Sequence, residues 1–384
     1  MMNQRPVRLA VVVLFLLSSV AGYAAGPSPE AQAMNYLQEI WRSTGAPGIS
    51  VAVVRQGRLV FSQGVGFADL DNMVPANGST VYNIGSISKA VATVAVMQLV
   101  EQGKVGLDDP IQKYVPTFPD KGSPVTVRHI MTHTSGIRHY RGTDFGGDNE
   151  NMRPVASLEE GIKVFKDDPL LFKPGEYYSY SSYAVNLLQG VVEKASGQGF
   201  EDYMRQHVWS PAGMFSTSFD VPDRIVPHRA RGYSNGDGKL SNYGYGDITY
   251  KFAGGGMIST VEDLVRLGAA LNQGRLLKPE TRALMYTPMP PVLQYRGDQA
   301  PQKLEFELGL IWRISKDETG RTFIHHCGTV KGFNGCLINY PEQDLVVAIL
   351  ANALPSTPAR REAEAFAKLF LAAVEASGDQ PSRP

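Results

Sequence analysis

The alternating apolar runs that make strands sit at the two ends of this 384-residue chain. Ile49-Val51-Val53 and Leu59-Phe61 flank the turn Gln56-Gly57, which predicts a hairpin. The other strand-like runs are Leu308–Ser315, Arg321–Gly328, Gly335–Tyr340 and Leu345–Ala351, separated by short turns that suit an antiparallel meander. Between them, residues 110–305 mix short helices with Gly/Pro/Asn loops. The predicted fold class is therefore α+β: an antiparallel sheet covered by helices on both faces, with an inserted, mostly helical lobe. The sheet part takes about 26–85 and 306–384, and the helical insertion about 86–305. A cleft between the two is the natural place for a site.

Helical spacing marks the covering elements. Pro29 to Arg42 carries Ala33, Tyr36, Leu37, Ile40 and Trp41 on one side, and Ser86 to Gln102 ends at Gly103. Ser181 or Ser182 can cap a run through Glu193 that stops at Gly197. Ser259 and Thr260, each with an acid three residues on, open another. The last helix, about 358–376, places Ala365, Phe366, Leu369, Phe370 and Ala373 inward.

Thirty-seven Lys and Arg balance 37 Asp and Glu with no block of like charge, which leaves nucleic acid no basic footprint. Arg5 and Arg8 precede the apolar run Leu9 to Val20, and Ala21, Gly22, Ala24 and Ala25 follow. That pattern predicts a signal peptide over 1–25, cut near Ala24 or Ala25, and a periplasmic or secreted product. The run is shorter than the roughly 20 residues of a membrane span, so no stable span is expected after cleavage. Cys327 and Cys336 are the only cysteines. They flank a predicted hairpin, and export leaves a bond between them open.

Ser86-Ile87-Ser88-Lys89, at the start of a predicted helix, is the one Ser-x-x-Lys in the sequence. The spacing puts Lys89 one turn above Ser86 on the same face. Exposed N–H groups and the partial positive charge of a helix start favour an alkoxide and disfavour an ammonium. A free lysine, with a pKa of about 10.4, needs that lowering to act as a base. Read alone, the four residues describe a helix cap and a solvated lysine, since Ser-x-x-Lys arises by chance in many proteins.

Their surroundings are more specific. Tyr82-Asn83-Ile84-Gly85-Ser86-Ile87-Ser88-Lys89, followed by Leu99-Val100-Glu101-Gln102-Gly103-Lys104-Val105 and Leu107-Asp108-Asp109-Pro110, resembles the serine beta-lactamase and penicillin-binding protein superfamily. The branch is that of class C beta-lactamases, D-amino-acid peptidases and related esterases. His133-Thr134-Ser135-Gly136-Ile137, Lys173-Pro174-Gly175, Gly254-Gly255-Gly256-Met257-Ile258-Ser259-Thr260, Leu310-Ile311-Trp312 and His326-Cys327-Gly328 continue the match in family order. Gly136-Ile137-Arg138-His139-Tyr140 and Tyr250-Lys251-Phe252-Ala253-Gly254 look most like the mitochondrial serine beta-lactamase-like members. The resemblance implies a beta-lactamase/transpeptidase-like fold, no cofactor, and an acyl-enzyme on Ser86 with Lys89 as base.

The family's second element is a Tyr-x-Asn. A literal Tyr233-Ser234-Asn235 lies in a Gly-rich loop. Family order instead points to Tyr180-Ser181-Ser182, after the Pro-Gly turn and before Val191-Val192-Glu193. Tyr180 is thus the expected phenol that shares the base's proton and then protonates the leaving group. The third element is His326-Cys327-Gly328-Thr329, where Gly328 lets backbone approach the substrate and His326 helps position it. The resemblance also implies an oxyanion hole from the N–H groups of Ser86 and Thr329.

Three departures bear on the substrate. Ser182 stands where relatives have the Asn that holds an acyl-side carbonyl, His326 where penicillin-processing members have Lys, and Cys327 where a Thr hydroxyl binds the same carboxylate. All three predict weak recognition of a beta-lactam or D-Ala-D-Ala terminus. His129, His133 and His139 with His325-His326-Cys327 form a candidate metal set. There is no His-Glu-x-x-His, however, and His325 and His326 point to opposite faces of a strand, so no metal is expected. The reading is an exported serine hydrolase, peptidase-like on a small-molecule or peptide substrate. A beta-lactamase, a carboxylesterase and a non-catalytic penicillin-binding-like sensor are the alternatives.

Overall fold

A computed structural model describes residues 27–142, 144, 151–354 and 359–377; the signal segment expected at 1–25 lies outside the described residues. Both ends of the chain enter one eight-stranded sheet. The N-terminal part gives β1 (Gly48–Arg55), β2 (Arg58–Asp69) and the short β3 (Val74–Pro75). The C-terminal part gives β4 (Glu307–Leu308), β5 (Arg313–Lys316), β6 (Thr322–Val330), β7 (Phe333–Tyr340) and β8 (Leu345–Ala351). The order is β4-β5-β6-β7-β8-β1-β2-β3, antiparallel at every step. The two ends join where β1 lies against β8, with Ile49 opposite Ala351 and Val53 opposite Val347. These strands are near-continuous apolar runs because both their faces are covered.

Five described helices have twelve residues or more: α1 (Pro29–Thr44), α2 (Ile87–Glu101), α3 (Ser182–Ser196), α4 (Val261–Asn272) and α5 (Ala359–Ser377). Their ends follow the sequence signals. Ser28, Ser181 and Thr260 cap α1, α3 and α4 through their side-chain oxygens, and Gly45 and Gly197 close α1 and α3 in the left-handed conformation.

One face of the sheet packs against α1 and α5, burying Leu37, Ile40, Phe366 and Phe370 on Ile49, Val51, Val347 and Ile349. The stripe of α5 is turned from the expected one. Phe366 and Phe370 are buried, but Ala363, Ala367 and Leu371 complete the core while Ala365 and Leu369 are only half-buried. Contacts of the Phe366 ring with Tyr36 at 5.2 Å and Phe61 at 6.2 Å fix that rotation.

The other face packs against α4, over β1 and β8, and α2, over β6 and β7. Twelve of the fifteen residues of α2 are buried, since α3 and residues 252–255 close its far side. The run Leu308–Ser315 is not one strand. At Ile311 the backbone turns to φ +70° and its N–H bonds to the Met131 carbonyl at 2.6 Å, so a tertiary contact overrides the alternation. Cys327 and Cys336 are paired across β6 and β7 and joined by a disulfide.

Candidate active site

Ser86 immediately precedes α2, yet its side chain caps no backbone N–H. Its Oγ instead accepts hydrogen bonds from Lys89 Nζ at 2.9 Å and from the Tyr180 hydroxyl at 2.7 Å. Lys89 is fully buried, and its Nζ also donates to the Gly254 carbonyl. Asn186 of α3 holds that carbonyl in place, accepting from the Gly254 N–H at 3.1 Å and donating to the Tyr250 carbonyl at 3.1 Å. A Cβ at position 254 would fall 2.3 Å from Asn186 Oδ1, so only glycine fits. The three polar tips therefore meet through elements far apart in the chain.

Burial sets the electrostatics. Desolvation lowers the Lys89 pKa, with Tyr180 opposing and Arg313 reinforcing the change. For Tyr180, burial alone would raise the pKa, but the neighbouring Lys89, the bond to Ser86 and Arg313 outweigh it and the phenol is lowered. An amine that loses its proton more readily thus faces a phenol that does the same. A proton shared between two such coupled groups belongs to the pair.

Ser86, Tyr180, Ser182, His326, Gly328 and Thr329 border one cavity of about 420 Å³, with Lys89 behind Ser86. Two glycines bring the start of α2 against β6. Gly85 has φ +49°, and a Cβ there would sit 2.8 Å from the Thr329 nitrogen. A Cβ on Gly328 would meet the Ile84 carbonyl at 2.0 Å and the Ser86 nitrogen at 2.9 Å. The backbones that carry the Ser86 and Thr329 amides are therefore in direct contact.

His326 is buried, and its Nδ1 lies 2.8 Å from the Cys327 carbonyl. A carbonyl only accepts, so Nδ1 carries the proton and Nε2 is the ring's acceptor. Burial, with Arg313 and Lys89 nearby, pushes its pKa well below the ordinary histidine value, so the ring is neutral near pH 7.

The literal Tyr-x-Asn plays a different part. Tyr233 is buried in the α1/α5 core, and its hydroxyl accepts from the Leu70 N–H at 2.7 Å. The histidines of the candidate metal set are spread among local tasks. The Nδ1 of His129 accepts from Thr126, that of His133 from Ser181 and that of His139 from Ser182. His325 with Cys327 and Cys336 has closely grouped ligand atoms, but both sulfurs are in the disulfide. Cys327 consequently has no thiol to offer a carboxylate, and its side chain packs against the α1/α5 core.

Among the cavity residues not legible as such in the sequence are two cations. Arg313, on β5, borders the cavity and its guanidinium lies 4.9 Å from the Phe306 ring. Its only signal was a charge directly after Leu310-Ile311-Trp312. It adds a cation to a cleft edge where the sequence pointed only to His326 and Cys327. Lys251 borders the same cavity, its ammonium 5.1 Å from the Tyr140 ring and 5.3 Å from that of Tyr250.

Known proteins are similar to this chain in sequence and fold. The chain is 32% identical to the mitochondrial serine beta-lactamase-like protein LACTB of Mus musculus, across 80% of this chain and 72% of that one. It is 31% identical to the putative penicillin-binding protein PbpX of Bacillus subtilis, across 66% and 61%. The octameric penicillin-binding protein homologue from Pyrococcus abyssi superposes with a TM-score of 0.74 at 29% identity, covering 89% of this chain and 77% of that chain. A D-stereospecific amidohydrolase from Streptomyces shares the fold, with a TM-score of 0.73 at 23% identity over 88% and 98%. The family described as beta-lactamase matches residues 33–372, nearly all of what folds around Ser86, and this chain belongs to it.

Proposed function

We propose that this protein is an exported serine hydrolase that forms an acyl-enzyme on Ser86 and acts on peptide-like amides. The observation that carries this reading is the hydroxyl of Ser86, held by a desolvated amine and a phenol inside a cavity. The Lys89–Tyr180 pair, short of one proton, accepts the Ser86 proton as Oγ attacks the carbonyl carbon. The charge that develops on the carbonyl oxygen falls to the N–H groups of Ser86 and Thr329; one such donor is worth about 3 kcal/mol in the transition state. Tyr180 returns the proton to the departing nitrogen as the C–N bond breaks. Water then attacks the ester and the same groups act in reverse.

Arg313 supplies the cation that neutral His326 does not, so a carboxylate on the leaving side fits the cleft. Ser182 offers an acyl-side carbonyl less than an Asn would, which favours peptide-like amides over penicillins. The amidohydrolase among the similar structures points the same way. Export is supported by the signal pattern at 1–25.

Labelling with a fluorophosphonate and a fluorescent penicillin tests the reading. Labelling of the wild type that vanishes in Ser86→Ala is expected. Equal labelling of both, or none with either probe, would move the protein to the binding or sensor class. A library of D- and L-peptides, p-nitrophenyl esters and a chromogenic cephalosporin then ranks the substrates, with peptides expected first.

A further inference from the structure

Tyr180 lies against two imidazoles. The His133 ring is 4.5 Å from its ring centroid at an interplanar angle of 37°, and the His139 ring is 5.3 Å away, nearly perpendicular at 83°. The same rings hold the chain just after it. His133 Nδ1 accepts from the Ser181 N–H at 3.3 Å and His139 Nδ1 from the Ser182 N–H at 3.2 Å. These amides belong to the cap and first residue of α3, where a helix has no carbonyl of its own to offer.

We propose that His133 and His139 are positioning residues for Tyr180: uncharged imidazoles that seat the phenol ring and fix the backbone beside it, so that its hydroxyl meets Ser86. The proposal rests on the hydrolase reading above.

The histidine-bearing segment is itself tied to the tyrosine's segment. The Ser179 N–H donates to the His133 carbonyl at 2.8 Å and Ser181 Oγ to the Arg138 carbonyl at 2.8 Å. Arg138 is anchored by a two-pronged bond to Asp144, at 2.9 and 3.0 Å, and by Asp168 at 2.6 Å. His133 keeps φ +55°, a left-handed backbone uncommon outside glycine. Strain of that kind persists where surroundings over-determine a residue.

Charge keeps the rings in this role. An Nδ1 that accepts from an amide carries no proton, so both rings are neutral with hydrogen on Nε2. His133 faces Lys89, Arg313 and the His139 ring, and burial, reinforced by Lys89 and Arg313, depresses its pKa. His139 faces Lys89, Lys251 and Asp144; burial and the two lysines bring it down to about 4 against the pull of the acid. The neutral rings pack on Tyr180, whose ring centroid lies 5.0 Å from the fully buried Lys89 ammonium, so removing either ring opens a way for water toward the amine.

The test follows hydrolysis of a neutral p-nitrophenyl ester against pH, with the full chain and its variants His133→Ala, His133→Asn, His139→Leu and His139→Asn. Asparagine keeps an acceptor near the Nδ1 position and tolerates positive φ. The alanine and leucine variants should lose about 10–100-fold in kcat at unchanged KM, the scale of a misplaced reacting group. Water admitted beside Lys89 should move the rising limb of the profile up by about one pH unit. The asparagine variants should recover most of the rate.

Asparagine variants as poor as alanine and leucine, or a loss that tracks melting temperature with no shift of the limb, would overturn the proposal. Should His133→Ala fail to fold, His139→Leu, on the cavity wall, carries the same comparison. A wild type that fluorophosphonate leaves unlabelled at Ser86 removes the hydrolase reading and this one together. A labelled wild type whose histidine variants match it removes only this one.

Discussion

On the α1/α5 face of the sheet the packing is apolar and the helices stand half in water; on the opposite face α2 is enclosed almost all round and carries a buried lysine. The first arrangement stabilises by area: each large side chain in it contributes about 1.5–3 kcal/mol on burial. The second spends burial on reactivity, because the enclosure that hides Lys89 from water is what lowers its pKa. Stability and chemistry are thus divided between the two sides of one sheet, and substitutions should separate them.

The largest effect is expected at Lys89→Met, which keeps the volume of the side chain and removes the amine. Acylation of Ser86 should fall about 10⁴-fold, as for other members of a unit that acts together. The melting temperature should hold or rise, since a desolvated amine is replaced by an apolar group. Stopped-flow labelling and a thermal melt on one sample settle both, and a parallel collapse of stability would break the division of labour.

The mirror experiment is Phe366→Ala, which opens a cavity between α5 and the sheet. Unfolding free energy should drop by about 3–5 kcal/mol while kcat per folded molecule stays put. Acid should act on both faces. Burial holds the pKa values of His133 and His326 on the site face far below the usual value, and that of His325 on the other at about 3. Unfolded histidines take up protons below pH 6.5 and these folded ones do not. Stability is therefore full above that pH and declines as pH falls, by up to about 1.4 kcal/mol per unit for each group. His325→Phe should flatten the decline in urea melts between pH 7 and 4.5, and an unchanged slope would deny it a share.

The smallest effect is reserved for Arg313→Gln. A substrate carrying a carboxylate on its leaving side should show a KM about tenfold higher, the value of one exposed charged contact, and a neutral ester should show none. Loss on both substrates would place Arg313 among the groups that shape the site rather than those that select.

What could be read beforehand follows the same division. Period-two and helical patterns carried the sheet, its supply of strands from the two ends of the chain, and helix starts such as Ser181 and Thr260, because burial of one face writes a repeat into the sequence. The meeting of Ser86, Lys89 and Tyr180 was legible through the single Ser-x-x-Lys and the order of motifs behind it. Arg313 was not, because its place depends on the kink at Ile311, a tertiary event that no local pattern encodes. The roles of His133 and His139 were hidden for a related reason: spacing offered them as ligands, and only the fold turns them onto Tyr180. The stripe of α5 was legible in part: Phe366 and Phe370 are buried as expected and Leu369 packs against the same core, but Ala363, Ala367 and Leu371 complete it, and the side chain of Ala373 lies outside the described residues.

The close approach of Gly85 to Thr329, and of Gly328 to Ile84, has a bearing on anyone who wishes to retarget this protein. A saturation library around the cleft will contain mostly dead clones if those two codons are randomised, whatever the chemistry of the incoming residue. The obstacle there is backbone meeting backbone, which no repacking of neighbours relieves. Diversity belongs at Ser182 and Lys251, which border the same cavity and leave that seam closed.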